Sequence, residues 1–408
     1  MHVIFLAPHF PASQPRFVRG LKKAGAVVTG IGDAPLDALP ASTRRLLDGY
    51  EAVSHIGSVE QVTEAVRRIQ KRGPWVHHLV ATIESHMMVA AEVRAQTAIP
   101  GLSVEQIRHC RDKYVMKEFL RQQGIPCAAN AEVHTGDDAR AFARTHGYPL
   151  ILKPRDGAGA AGTTRVNDAN ALELAIREAG LDQQRRFYTA ESFIQGHEGF
   201  FDTITVNGTV MFEAICHYYP NVLEGMRTGW ISPQIIMTNR IDAPGYTELR
   251  QFGRKVVQAL GLQTTPTHME WFFGPKGLVF SEIGARPPGC NMWDLYGEAN
   301  DFDIYEAWAR ALCYGTFEKR PSRRFSAGLI SLRPDREGTI VGVDGLEQVQ
   351  RRYGPHIVDA HFPHRGSKTA PVGAGYLGHG WMRVKHEDFD ACRAMLDDIG
   401  QTVQVRAL

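Results

Sequence analysis

The segment His268-Met-Glu270-Trp-Phe-Phe-Gly274-Pro-Lys-Gly277-Leu-Val-Phe-Ser-Glu282-Ile-Gly-Ala-Arg286 constrains the fold most. Two apolar runs, each carrying one glutamate, flank Gly-Pro-Lys-Gly, a turn signal. They read as an antiparallel hairpin. If Glu270 lies opposite Glu282, Gly274 pairs with Leu278 and Gly277 takes the left-handed position of a three-residue loop. Both carboxylates then share one face, with side chains ~5 Å apart. Like charges that close need a cation between them, and hard oxygen ligands suit Mg²⁺ bridging nucleotide phosphates. A register slip of one residue would put the acids on opposite faces and break the site. Arg286, at the strand exit, can fork onto a carboxylate or phosphoryl group.

A second segment, Lys153-Pro-Arg-Asp-Gly157-Ala-Gly159-Ala-Ala-Gly162, ends an apolar strand with lysine and continues into a glycine-rich loop. Glycines let backbone N–H groups turn onto an anion whose charge the lysine offsets. The lysine precedes the glycines and a strand follows them, so this is not a Walker A loop. A third segment runs from Glu191 through Ser192, Phe193 and Ile194 to Glu198. A strand end here can offer backbone groups to an adenine edge, and a carboxylate beyond it can accept ribose hydroxyls; solvated loop acids are the alternative reading.

The remaining chain frames these segments. Residues 1–105 alternate short apolar strands with amphipathic helices, which implies a parallel sheet and a Rossmann-like domain. The loop after the first strand, Pro8-His9-Phe10-Pro11, lacks the glycines of dinucleotide binding. Ser103 and Gln106 form a capping box. Residues 106–318 read as α+β, with a helix at Asp112–Gln122, hairpins, and a closing helix at Glu298–Gly315. A polar proline-containing link leads to a small α+β unit at 325–408. With 46 Lys plus Arg against 44 Asp plus Glu, charge is nearly balanced, which argues against nucleic acid as the main partner. No apolar run is long enough to span a membrane, and the short apolar run Val3–Ala7 is expected to be a strand rather than part of a signal peptide. The six cysteines form no C-x-x-C motif, and a reducing, cytoplasmic setting is expected.

Taken in order, these residues resemble the ATP-grasp superfamily, in its L-amino-acid ligase and biotin-carboxylase-like branch. Arg111-Asp112-Lys113-Tyr-Val-Met-Lys117 is similar to the family's "RDK…MK" opening, and Ala98-Ile-Pro-Gly-Leu-Ser to the end of the preceding domain. The resemblance covers nearly the whole chain. It implies a Rossmann-like domain at 1–105, an ATP-grasp domain at 106–318 with a glycine-rich lid within about 115–190, and a small C-terminal domain at 325–408. It implies that Lys113 and Lys153 bind ATP phosphates, with the lid glycines Gly157, Gly159 and Gly162 above them. Glu191, Ser192, Phe193 and Ile194 would form the adenine hinge and Glu198 would hold the ribose. Glu270 and Glu282 would bind Mg²⁺, with Mn²⁺ as an alternative, and Arg286 the acyl phosphate.

The implied activity is ATP-dependent joining of a carboxylate to an amine, with ADP and phosphate released and small molecules as substrates. Assembly as a homodimer is a family-level expectation. Activation of bicarbonate with a partner protein, or ATP binding without catalysis, are the alternatives. Gly284 stands where many members place a metal-binding Asn, which leaves the number of ions open. At the substrate end, Arg227 is a candidate for an α-carboxylate, with a solvated loop arginine as the alternative. His268 either contacts substrate or orients Glu270, and Asn291 is a candidate for the acyl pocket.

Overall fold

The computed structural model describes residues 1–156, 162–229 and 231–408. Gly157 and Gly159 lie outside the described residues; Gly162 is exposed, with φ +68°.

Among the described residues the strands form four sheets. The first is parallel: β1 (His2–Leu6), β2 (Val27–Gly32), β3 (Gly49–Ala52) and β4 (His78–Val80), in the order β3-β2-β1-β4. β1 is buried at every position; its apolar run Val3–Leu6 is what a strand covered by helices requires, and His2 is satisfied by Thr29 at 2.9 Å. Helices Gln14–Lys23, Val59–Arg72 and Met87–Thr97 connect or cover these strands. The second sheet, order β5-β8-β6-β7, is built from β5 (Asn130–Val133), β6 (Leu150–Pro154), β7 (Thr164–Val166) and β8 (Tyr188–Ser192). All of its pairings are antiparallel.

The largest sheet contains β9 (His197–Val206), β10 (Thr209–Tyr219), β11 (Gln234–Met237), β12 (Pro266–Gly274) and β13 (Gly277–Gly284). It continues through β14 (Ser326–Leu332), β17 (Gly380–His386) and β16 (Ile357–His361). The order is β13-β12-β9-β10-β11-β14-β17-β16, so three strands from the last eighty-odd residues extend the sheet that carries the two glutamates. β15 (Ile340–Asp344) and β18 (Gln404–Ala407) pair separately.

The closing helix expected over Glu298–Gly315 is two helices, Met292–Asn300 and Ile304–Tyr314. Asp301 breaks it in the left-handed region (φ 58°), and Asp303 caps the second helix by accepting from Tyr305 N and Glu306 N at 3.0 and 3.1 Å. Trp293 belongs to the core: its ring lies 5.1 Å from Phe17 and 5.4 Å from Tyr305. Helix Gln14–Lys23 approaches Ile304–Tyr314 so closely that a Cβ on Gly20 would lie 2.5 Å from the Tyr305 carbonyl oxygen. No helix among the described residues is long and apolar enough to cross a membrane.

Candidate active site

The hairpin β12–β13 places Glu270 directly opposite Glu282. The loop differs from the expected one. Gly274 pairs with Gly277, so only Pro275 and Lys276 turn the chain, and Gly277 is left-handed at φ +77°. The residue this frees is absorbed by a bulge at Ser281, between the Glu270–Glu282 and Trp271–Phe280 pairs. Without the bulge, the shorter loop would have moved Glu282 out of register. Both acids line one cavity of about 290 Å³, together with Lys113, Lys153, Glu198 and Arg286.

β9 lies beside β12, and period-two alternation carries Glu198, Phe200 and Asp202 on one face, beside Phe272, Glu270 and His268 respectively. Glu198 Oε2 accepts from Val222 N at 2.7 Å. Burial, then the neighbouring Glu270, pushes its carboxyl up to about 8. His268 Nδ1 lies 2.7 Å from Asp202 Oδ1, and its Nε2 lies 3.8 Å from Glu270 Oε1. Burial opposes the imidazolium, but Asp202 outweighs it and holds His268 up at about 9. The ring thus stands between Asp202 and Glu270, and His268 also lines the cavity.

Three lysines face the acids. Lys113 opens helix Lys113–Gln122, whose N-cap Asp112 accepts from Tyr114 N and Val115 N. Arg155, just beyond β6, forks onto Asp112 with Nε–Oδ1 at 3.0 Å and Nη2–Oδ2 at 2.6 Å, tying the helix start to the strand that carries Lys153. Lys113 Nζ lies 3.3 Å from Glu282 Oε2. Glu191 Oε2 lies 3.0 Å from Lys153 Nζ, and Glu191 Oε1 lies 2.6 Å from Lys117 Nζ. Glu191 therefore bridges two buried ammonium groups, while Ser192, Phe193 and Ile194 continue along the cavity wall.

The charges set one another's protonation. Burial disfavours the Glu282 carboxylate, yet Lys113, Lys153 and Lys117 outweigh it and bring the pKa to about 2. For Lys117, burial wins over Glu191 and the ammonium falls to about 8. For Lys153, burial is outweighed by Glu191 and Glu282, and its pKa rises.

Arg286 leaves β13 and meets Glu84, in the loop after β4: Nε donates to Glu84 Oε2 at 2.9 Å, and Nη2 donates to the same oxygen. Arg111 Nη1 holds the other oxygen of Glu84 at 2.6 Å. Glu84 was not singled out from the sequence, although loops at the carboxyl ends of parallel strands are where such sheets bind ligands. Gly284 leaves room for this arrangement, since a Cβ there would lie 3.2 Å from Arg286 Cγ. Arg227 is exposed and donates through Nη2 to the Thr163 carbonyl, at the end of the glycine-rich segment. Asn291 sits in the left-handed region (φ 53°); its neighbours Cys290 and Met292 line the cavity.

The donor set suits a divalent ion shared with a ligand. Two carboxylates are too few for a hard cation that takes six or more oxygens. No group of three His, Cys, Asp or Glu among the described residues could hold a metal unaided. The missing oxygens would have to come from phosphates and water, and the surrounding lysines suit phosphates.

Residues 112–197 match the family model of the carbamoyl-phosphate synthase L chain, ATP binding domain. The chain is 26% identical over 316 residues to an L-arginine-specific L-amino acid ligase of Bacillus subtilis, covering 74% of each chain. It is 25% identical over 276 residues to an alanine–anticapsin ligase of Bacillus subtilis strain 168, covering 62% of this chain and 57% of the relative. Among solved structures it is similar to an L-amino acid ligase from Bacillus licheniformis, with TM-score 0.77 at 20% identity over 100% and 98% of the two chains. It is also similar to an N5-carboxyaminoimidazole ribonucleotide synthetase from Thermotoga maritima, with TM-score 0.71 at 18% identity over 100% and 99%. These last two are likenesses of fold.

Proposed function

We propose that this chain, which is similar to L-amino acid ligases and matches the carbamoyl-phosphate synthase ATP binding domain over residues 112–197, is an ATP-grasp ligase that joins a carboxylic acid, an amino acid in the simplest case, to an amine through an acyl phosphate. A carboxylate oxygen of the acid bonds to the γ-phosphorus of ATP as the bond to ADP breaks. The amine nitrogen then bonds to the acyl carbon, the carbon–oxygen bond to phosphate breaks, and the ammonium proton passes to solvent. The observation that carries this reading is Glu270 opposite Glu282 in one cavity with Lys113, Lys153 and Arg286.

In this reading Lys113 and Lys153 neutralise the triphosphate and hold it in line with the acid. Glu191 fixes Lys153 from behind. Glu198 accepts the ribose hydroxyls, and the Ser192–Ile194 edge faces the adenine. Glu270 and Glu282 are the residues that would hold Mg²⁺ or Mn²⁺, which when bound screens phosphate charge and orients the transfer. Arg286, steadied by Glu84, binds the acyl phosphate and then the tetrahedral oxyanion.

The test is a phosphate-release screen with ATP, Mg²⁺ and pairs of amino acids, followed by mass spectrometry. The expected result is ADP, phosphate and an amide in equal amounts for some pair. ATP binding with no ADP release across all pairs would overturn the reading. ADP release with bicarbonate and no amide would replace it with carboxylate activation for another acceptor.

A further inference from the structure

The central cavity changes character from one strand to the next. Glu282 opposes Glu270, and Glu270 opposes Phe200, so this row of the sheet leaves the two acids and turns apolar at β9. Cys216 on β10 opposes Phe200, and Tyr218, two residues further along β10, projects on the same face. Tyr218 in turn opposes Ile235 on β11. Phe200, Tyr218 and Ile235 all line the cavity, as a floor that crosses two strand spacings, roughly 10 Å. Met226, Cys290, Met292 and Tyr376 add apolar walls, Tyr376 coming from the C-terminal unit. The Tyr218 ring lies 5.1 Å from Phe200 and 6.1 Å from Tyr376.

Cys290 joins this floor to the reacting end. It follows Arg286 by four residues and lines the same cavity. Burial pushes its thiol up to about 12, with Arg286 acting the other way, and burial, then Cys290, raises the Tyr376 phenol. A group held by Arg286 therefore has the apolar pocket beside it. The charges around that pocket are already engaged. Lys113 faces Glu282, Lys153 faces Glu191, and Arg286 is held by Glu84. Glu198 stands beside the floor, but its Oε2 accepts from Val222 N, and burial with Glu270 nearby holds it up at about 8. A charged side chain laid on the floor would be buried without a counter-charge, which is strongly unfavourable. An apolar one would gain by leaving water.

We propose that the acid activated here carries a large apolar side chain, of the size of leucine, methionine or phenylalanine, seated on the Phe200–Tyr218–Ile235 floor beneath Tyr376. This rests on the ligase reading above and deepens it by giving the acid's side chain a chemical class. It also makes the C-terminal unit, through Tyr376, a determinant of which acid is chosen.

The experiment uses hydroxylamine as the acceptor. Its nitrogen attacks the acyl carbon of an acyl phosphate and phosphate leaves, so hydroxamate formed with ATP and Mg²⁺ reports the choice of acid alone. For at least one of L-leucine, L-methionine and L-phenylalanine, kcat/KM is expected to exceed that of glycine about 10- to 100-fold, and that of L-arginine or L-glutamate by about 100-fold or more. Tyr376→Ala should cut the ratio of L-phenylalanine to glycine about tenfold with the ATP KM unchanged, and Tyr376→Phe should keep most of that ratio. An equal fall for every acid would show a packing role, and a raised ATP KM would show nucleotide on this floor; either overturns the proposal. Preference for glycine, L-arginine or L-glutamate overturns it too, and this wild-type comparison decides alone if the Tyr376 variants do not fold. ADP release with any acid keeps the ligase reading even when this proposal fails; none with any acid and acceptor removes both.

Discussion

Replacing Glu191 by Gln would test the charge network at its most buried point. Glu191 is 4% exposed and bridges Lys117, 0% exposed, and Lys153, 8% exposed. The amide keeps the shape but leaves Lys117 with Glu282, and Lys153 with Glu282 and Glu270, as supporting acids. Breaking a buried pair by removing one partner destabilises by about 3–5 kcal/mol. The lower end applies here, because Lys117 already sits at about 8 and can release its proton when Glu191 is gone. Urea unfolding should therefore show Glu191→Gln less stable by about 3 kcal/mol. The double variant Glu191→Leu with Lys117→Met removes both charges and should regain about 1–4 kcal/mol relative to the single change. Phosphate release should stay depressed in both, because Lys153 has lost the carboxylate that aims it. A Glu191→Gln protein within about 0.5 kcal/mol of wild type would refute the buried bridge. A double variant restored in turnover as well as in stability would refute the role assigned to Glu191.

Three further outcomes are expected. Arg286→Ala should lower kcat by about 10²–10³ with ATP affinity nearly unchanged by calorimetry, since the lost interaction belongs to the transition state; equal losses in both would count against it. Without nucleotide, stability should fall as pH rises from about 6.5 to 9. His268 binds its proton more tightly in the folded chain, so its contribution is full below the unfolded value and lost as pH passes about 9. His268→Asn should flatten that slope in thermal melts, and an unchanged slope would contradict the Asp202–His268 pairing. Gly284→Asn should displace Arg286, given the 3.2 Å approach to its Cγ, and so lower kcat with little change in the ATP KM; full activity would show that the guanidinium has room to spare.

The hairpin acids, the Lys153 strand and the capping box at Ser103 were legible because each is a local pattern of alternation, turn chemistry or capping. The loop length at Gly274–Gly277 differs by one residue from the sequence expectation because nothing local marks the bulge at Ser281, between Phe280 and Glu282. β3 and β5 were missed because they are short and partly exposed, so neither shows a clean apolar run. β11 is four buried residues whose place is decided by β10 and β14. The partners that aim the site lie far away in sequence: Glu84 is 202 residues from Arg286, and Asp202 is 66 from His268. Such pairings are set by how the sheets pack and leave no local trace.

The central claim is that Glu270 and Glu282 share one divalent ion with the triphosphate. Crystals grown with Mn²⁺ and a non-hydrolysable ATP analogue test it directly through the anomalous signal of the metal. The account predicts a peak within about 2.5 Å of a carboxylate oxygen from each residue and of at least one phosphate oxygen. A metal bound away from that pair, or nucleotide bound with both carboxylates still held by Lys113 and His268, would contradict it.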